Sequence, residues 1–167
     1  MTKISDPAFD DTQFRAIMRS MAVGVTVITT AHEGHKHGMT ATAFSSVSAD
    51  PPSVLIVLNR STRTHPILSA GRHFVVNLLA EHQIDISQRF SAKIDDQFDG
   101  IGYSENREGI PVLKESVANL ECEIMAEMDV GTHTIFIGKV TNGTVSAVKP
   151  LIYHDGNYKA VAHLTAA

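Results

Sequence analysis

Residues 118–128 alternate without a break: Leu120, Cys122, Ile124, Ala126 and Met128 share one parity, Glu121, Glu123, Met125 and Glu127 the other. A period of two is the geometry of an extended strand, and acids on one parity leave that face to water. Strands with one wet face belong to antiparallel sheets. The rest of the chain supplies partners. "VGVTVITT" (23–30) is β-branched and strand-like. "AHEGHKHG" reads as a polar hairpin connection, and "MTATAFSSVS" (39–48) as the returning strand, ended by the "DPP" break at 50–52. "SVLIVLN" (53–59) is a continuous apolar run, the pattern of a strand buried on both faces. "HFVVNLLA" adds another strand, "HTIFIGKVTNGTVS" (133–146) one or two around Asn142-Gly143, and residues 158–161 a last short one.

Helical signals are few. Phe14, Ile17, Met18 and Met21 fall at helical spacing behind a capping box of Asp10 and Gln13. "STRTHPILSAG" reads as a loop entering a short helix that stops near Gly71. Residues 81–91 form a third helix with Ile84, Ile86 and Phe90 partly buried, and residues 95–111, rich in Asp and Gly, a long loop. At least six strands with two or three short helices give a mainly β fold, an antiparallel sheet closed or nearly closed into a barrel. Its edges are hidden by that closure or by dimerisation. Without repeats or linkers, residues 1–167 read as a single domain with a core at about 14–161.

Fourteen basic against eighteen acidic residues, with no basic run, argue against nucleic acid as a partner. A single cysteine permits no internal disulfide and fits a reducing compartment. The N-terminal residues lack an apolar leader, and no apolar run reaches the ~20 residues of a membrane span. The expectation is a cytoplasmic protein.

The strand at 39–48 is the unusual one, because its side chains are almost all Ala, Ser and Thr. Small residues suit close packing against a helix or a subunit. They also leave backbone and hydroxyl groups approachable by a broad flat ligand such as a flavin ring. One strand later comes "NRSTRTH" (59–65), whose hydroxyls, amides and guanidinium groups at a helix start suit a phosphate as well as a solvated cap. His32, His35 and His37 in "HEGHKH" have the type of a zinc ligand set, but in a hairpin loop they read as a solvated turn, so no metal is expected. Asp95, Asp96 and Asp99 lack the spacing of a calcium loop, and Cys122 reads as a buried small hydrophobe.

"HGMTATAFSSVSADPPSVLIVL", followed by "NRSTRTHPIL", "FVVNLL", "SQRFS" and "GTHTIFIGKV", resembles the small flavin reductases of two-component flavin-dependent monooxygenases, in the family's order over nearly the whole chain. The resemblance implies an antiparallel split β-barrel of the FMN-binding type, Greek-key-like, and a homodimer with flavin at its interface. It implies an NAD(P)H-dependent oxidoreductase that passes hydride from NADH or NADPH to FMN or FAD for a separate monooxygenase component. Thr40, Thr42, Ala43, Phe44, Ser45 and Ser46 would then line the flavin ring. Asn59, Ser61, Thr62 and Thr64 would hold ribityl and phosphate groups. Arg89, Phe90 and Ser91 would approach the phosphate or adenine end, and Tyr153 would set an aromatic ring near the flavin. His133 would position the nicotinamide, although Thr132 stands where many relatives carry an acid. The alternatives are a flavin-binding electron-transfer module without reductase activity, or a reductase of another acceptor such as a corrin. Arg60, Arg63, Arg89 and Lys93 leave NADH against NADPH, and FMN against FAD, open.

Overall fold

The computed structural model describes residues 10–162; residues 1–9, where the lack of a leader was read, and residues 163–167 lie outside them. Helix α1 (Asp11–Arg19) opens on the capping box foreseen, with Gln13 N donating to Asp10 Oδ1 at 2.7 Å. Its apolar face is uncovered, with Phe14, Ile17 and Met21 each about half exposed. The strands that follow are β1 (Val23–Gly24), β2 (Thr26–His32), β3 (His35–Ala41), β4 (Phe44–Ala49) and β5 (Pro52–Asn59). Next come α2 (Thr64–Gly71), β6 (His73–Leu78) and α3 (Ile84–Ser91). A small hairpin, β7 (Tyr103–Glu105) and β8 (Pro111–Leu113), interrupts the region expected to be one long loop. Two 13-residue strands, β9 (Ala118–Val130) and β10 (His133–Val145), precede the closing pair β11 (Ile152–His154) and β12 (Asn157–Lys159).

Seven strands form one antiparallel sheet in the order β3-β2-β6-β9-β10-β5-β4. Strands β3 and β4 are consecutive in the chain yet lie on opposite edges. Only Thr42 and Ala43 join them, so the two edges approach within about 10 Å there, the reach of three residues. The sheet must therefore curl almost shut, a split barrel as expected. The same geometry corrects the reading of residues 39–48 as a single strand: β3 pairs with β2 and β4 with β5, and no common two-fold alternation runs through them.

Three further readings are corrected. The polar hairpin connection shrinks to a two-residue turn, Glu33 (φ 48°) and Gly34 (φ 79°), both left-handed as a type I′ turn requires, so His35 and His37 lie in strand β3. Of the one or two strands expected around Asn142-Gly143 there is one: β10 runs straight through with a register shift after Val140, and Asn142 Nδ2 donates to Glu121 Oε1 at 2.8 Å across the ladder. Strand β5 buries Val54, Ile56 and Leu58 but leaves Leu55 and Val57 partly exposed, whereas β2 is buried on both faces from Thr26 to Thr30. Alternation in β9 holds through Ile124; from Met125 onward both faces are exposed.

The double burial of β2 divides the core. On the barrel side Ile28 packs with Ile56, Leu58, Phe74, Cys122 and Phe136. On the other side Val27 packs with Phe90, Leu113 and Leu151, which fastens α3 and the 95–113 segment over the sheet. Asn77 ties these layers together. Its Oδ1 accepts from Leu113 N and Asn119 Nδ2, both at 2.8 Å, and its Nδ2 donates to Val27 O at 3.0 Å and Thr29 Oγ1 at 3.1 Å. This buried network is fully satisfied; a concavity of chemical interest opens between β3 and the end of α3.

Candidate active site

The cavity, about 450 Å³, lies between β3, the 59–64 loop and the end of α3 with the segment that follows it. Its size falls in the range of small-ligand pockets, ~300–1,000 Å³. One wall is strand β3: His37, Gly38, Met39 and Thr40. Gly38 permits the close approach, since a Cβ there would stand 2.7 Å from the ring of Phe90. Phe90 packs directly against Gly38, 2% exposed and edge-to-face with Phe98 at 5.2 Å.

The floor is the hydroxyl loop, built by local hydrogen bonds. Asn59 Oδ1 accepts from both the amide and the hydroxyl of Ser61 at 2.9 Å, and Thr62 Oγ1 donates to Asn59 O at 2.8 Å. An Asn side chain that copies a backbone turn in this way fixes the loop without strain. Ser61, Thr62, Arg63 and Thr64 line the cavity, and α2 begins there with no side-chain cap. Its first N–H groups are thus left to whatever enters. Thr64 is fully buried and stands 2.9 Å from His37 Nδ1.

Residues 91–94 and Gln97 close the far side. Gln97 Oε1 accepts from Gly38 N at 3.2 Å. Arg89 donates to the carbonyls of Gln97 (2.8 Å) and Asp96 (2.9 Å), so its guanidinium clamps this segment. Across the mouth Arg63 Nη1 meets Asp95 Oδ1 at 2.8 Å, an exposed pair of small energetic weight. No carboxylate lines the cavity. Half-burial, and then the charge of Arg63, hold the His37 imidazole below its ordinary range.

Six of the expected residues, Thr40, Ser61, Thr62, Thr64, Phe90 and Ser91, therefore share one cavity, with Asn59 bracing it from beneath and Arg89 clamping its far side. His133 opens β10 in register with Asn59, a separation of ~5 Å between facing side chains, and its Nδ1 lies 2.9 Å from Thr132 Oγ1. It stands exposed at the rim of the hydroxyl loop. Six expected residues lie apart. Thr42 and Phe44 border a separate hollow of about 140 Å³ beside Val23 and Leu79, and Ser45 and Ser46 lie exposed on the edge strand β4. Ala43 accepts from Val57 N through its carbonyl. Tyr153 lines a groove beside α1, with Tyr158 edge-on at 5.5 Å.

Sequence reasoning missed His37 and Gln97 as cavity residues. The recognisable signal for His37 was Glu33-Gly34, whose short turn places it in a strand two residues before Met39. Nothing local marks Gln97. The three histidines of "HEGHKH" do not gather: His32 pairs with His35 across the hairpin, while His37 faces the cavity. Of the cations named, Arg60 is paired with Asp129 at 3.0 Å and holds Gly131 O, which pins the β9–β10 turn to the hydroxyl loop. A hydrogen bond from Thr134 (2.6 Å), joined by the charge of Arg60, keeps the Asp129 carboxyl below its usual range.

A cavity lined by β3, by the 61–64 loop at a helix start and by the cations Arg63 and Lys93 is suited to an anionic ligand. Residues 18–162 match the family described as Flavin reductase like domain, and the chain belongs to that family. It is 39% identical over 154 residues to the reductase component of an FADH(2)-dependent resorcinol hydroxylase from Rhizobium sp. (strain MTP-10005), covering 89% of this chain and 86% of the relative. It is 34% identical to the reductase component of 4-nitrophenol 4-monooxygenase/4-nitrocatechol 2-monooxygenase from Rhodococcus opacus, covering 89% and 80%. Among solved structures, the Streptomyces globisporus C-1027 NADH:FAD oxidoreductase SgcE6, in complex with NAD and FAD fragments, superposes with a TM-score of 0.88 at 34% identity, covering 96% of this chain and 98% of that one.

Proposed function

We propose that this chain, as one domain, transfers hydride from NADH or NADPH to FAD or FMN, and that the reduced flavin passes to a separate monooxygenase component in the cytoplasm. The observation that carries the reading is the cavity itself: the Ser61–Thr64 loop, the uncapped start of α2 and the cations Arg63 and Lys93 all line it, and no acid does among the described residues. That donor set fits a flavin phosphate. Bound there, the flavin supplies the electron-accepting ring, and the protein need only orient it and its partner. The Gly38–Thr40 stretch of β3 offers a surface along which a planar group can lie. The segment clamped by Arg89 covers it from water.

His133 is placed to steady the nicotinamide at the rim. Its neighbour Thr132 is a neutral hydroxyl, so the imidazole gains a fixed orientation without a carboxylate to hold a proton on it. The chain acts as a homodimer. The uncovered apolar face of α1, with Ile17 and Met21 each 52% exposed, and the unpaired outer edge of β4 are surfaces that a second copy would cover. Thr42, Phe44, Ser45, Ser46 and Tyr153 are then residues of that interface, near the ring end of the flavin. Among the described residues no helix is long and apolar enough to cross a membrane.

The test is NADH and NADPH oxidation with FAD and with FMN against protein-free controls, with light scattering on the same samples. A rate no higher than free flavin would sink the reductase reading and leave the electron-transfer module. A fully active monomer would sink the dimer. Unchanged turnover in His133→Ala would remove the role given to that residue.

A further inference from the structure

Within the cavity, His37 is a titratable side chain with no acid beside it among the described residues. His37 lies on β3, its ring half-buried in the cavity wall, and its side-chain hydrogen-bond partner is the hydroxyl of Thr64 at 2.9 Å. The groups around it come from every element packed against that wall. Arg63 in the hydroxyl loop and Lys93 after α3 are cations, while Arg89 on α3 is occupied by backbone carbonyls. Asp95, the nearest acid to the mouth, is engaged by Arg63. On β2 the residue opposite His37 is Thr30, which is uncharged. Lys36 on the same strand is paired with Glu105, and His65 on α2 turns to Thr134 at 2.8 Å. An imidazole so placed has cations and hydroxyls for company, and protonation is opposed until an anion arrives.

We propose that His37 is a proton-dependent anion contact of this cavity: an entering phosphate group draws a proton onto the imidazole, and the imidazolium, with Arg63 and Lys93, then holds the phosphate-bearing end of the flavin. The proposal rests on the flavin reading of the cavity. It adds a coupling between proton uptake and flavin binding. The physical cause is reciprocal. An empty cavity makes the charged ring costly, because burial and Arg63 both oppose it. A dianionic ligand reverses the sign of the local field, so affinity rises as pH falls through the histidine range.

The experiment uses FAD, whose pyrophosphate keeps its charge across this pH range, and riboflavin, which has no phosphate. Dissociation constants for both are measured by flavin fluorescence from about pH 8 to about pH 5.5, the window in which histidine changes charge. The unmodified chain is compared with His37→Gln, which keeps a side chain able to bond Thr64. FAD binding to the unmodified chain is expected to tighten about tenfold toward low pH, the scale of one charge-assisted hydrogen bond. Riboflavin binding, and FAD binding to the variant, are expected to stay level. Calorimetry of FAD binding in buffers of different ionisation enthalpy is expected to show proton uptake by the unmodified chain, a readout that needs no variant.

A pH slope kept in His37→Gln, a slope shared by riboflavin, or binding without proton uptake each overturns the proposal while leaving the flavin site standing. Failure of both flavins to bind at any pH overturns the flavin reading itself, and the His37 proposal with it.

Discussion

Gly38→Ala places one methyl group at the tightest point of the cavity wall. Its Cβ would lie 2.7 Å from both Cδ1 and Cε1 of Phe90 and 3.3 Å from Cγ2 of Thr29. Carbon atoms settle at ~3.5–4.0 Å, so the ring must retreat by about 1 Å. Phe90 is 2% exposed and backed by Phe98, which leaves it little room to do so. Overpacking of this kind costs about 1–3 kcal/mol, or roughly 2–12 °C in Tm for a domain of this size. Because Gly38 and Phe90 both line the cavity, flavin affinity is expected to fall as well. Gly138→Ala is the control. Its Cβ would meet Phe74 Cζ at 2.5 Å and Cys122 Cβ at 3.0 Å in the barrel core, at neither wall of the cavity. Urea unfolding and flavin titration on the same samples are expected to show lost stability in both variants and lost affinity in Gly38→Ala alone. Wild-type stability and affinity in Gly38→Ala would refute the reasoning. Equal loss of affinity in Gly138→Ala would show the effect to be global.

Other expectations follow from buried groups. Asn77→Ala removes four hydrogen bonds from a buried network, and urea unfolding should register a loss of about 3 kcal/mol or more; a change under 1 kcal/mol would mean the freed groups find new partners. Burial, and then Glu121, push the Cys122 thiol up to about 12, so a disulfide reagent at about pH 8 should label it only after unfolding. Rapid labelling of the folded chain would contradict that. The His37 pKa is lowered on folding, so the flavin-free native state binds fewer protons than the unfolded chain and stability rises with pH. Melting of the flavin-free chain should weaken as pH falls below about 6.5, the ordinary histidine value, and His37→Gln should lose part of that dependence. An identical pH curve in the variant would rule the contribution out.

What was readable in the sequence is what local physics decides. The parity of residues 118–124 placed the first half of β9, and the Asp10–Gln13 box placed the start of α1. The hydroxyl loop was legible because Asn59, Ser61 and Thr62 bond one another within three residues. The break at Thr42–Ala43 was not, because a run of Ala, Ser and Thr carries no hydrophobic period to interrupt. Asn142-Gly143 has the composition of a turn, yet pairing with Glu121 and Leu120 keeps it extended. Lys93 was read only as one of four cations that could meet a 2′-phosphate or the flavin, Gln97 not at all, and Arg89 was assigned to the ligand. Gln97 and Arg89 are set by contacts to β3 and to the chain beyond α3, which no short window contains.

The decisive measurement is anaerobic. The chain is mixed with equimolar FAD or FMN, NADH or NADPH is added, and bleaching of the flavin band is followed in the unmodified chain, in Ser61→Ala/Thr62→Ala and without protein. The expected result is rapid bleaching by the unmodified chain with at least one flavin and nicotinamide pair, slowed in the double variant by weaker flavin binding and recovered at higher flavin concentration. Bleaching at the protein-free rate would contradict the reductase function. Fast bleaching unaffected by loss of both hydroxyls would place the flavin somewhere other than this cavity.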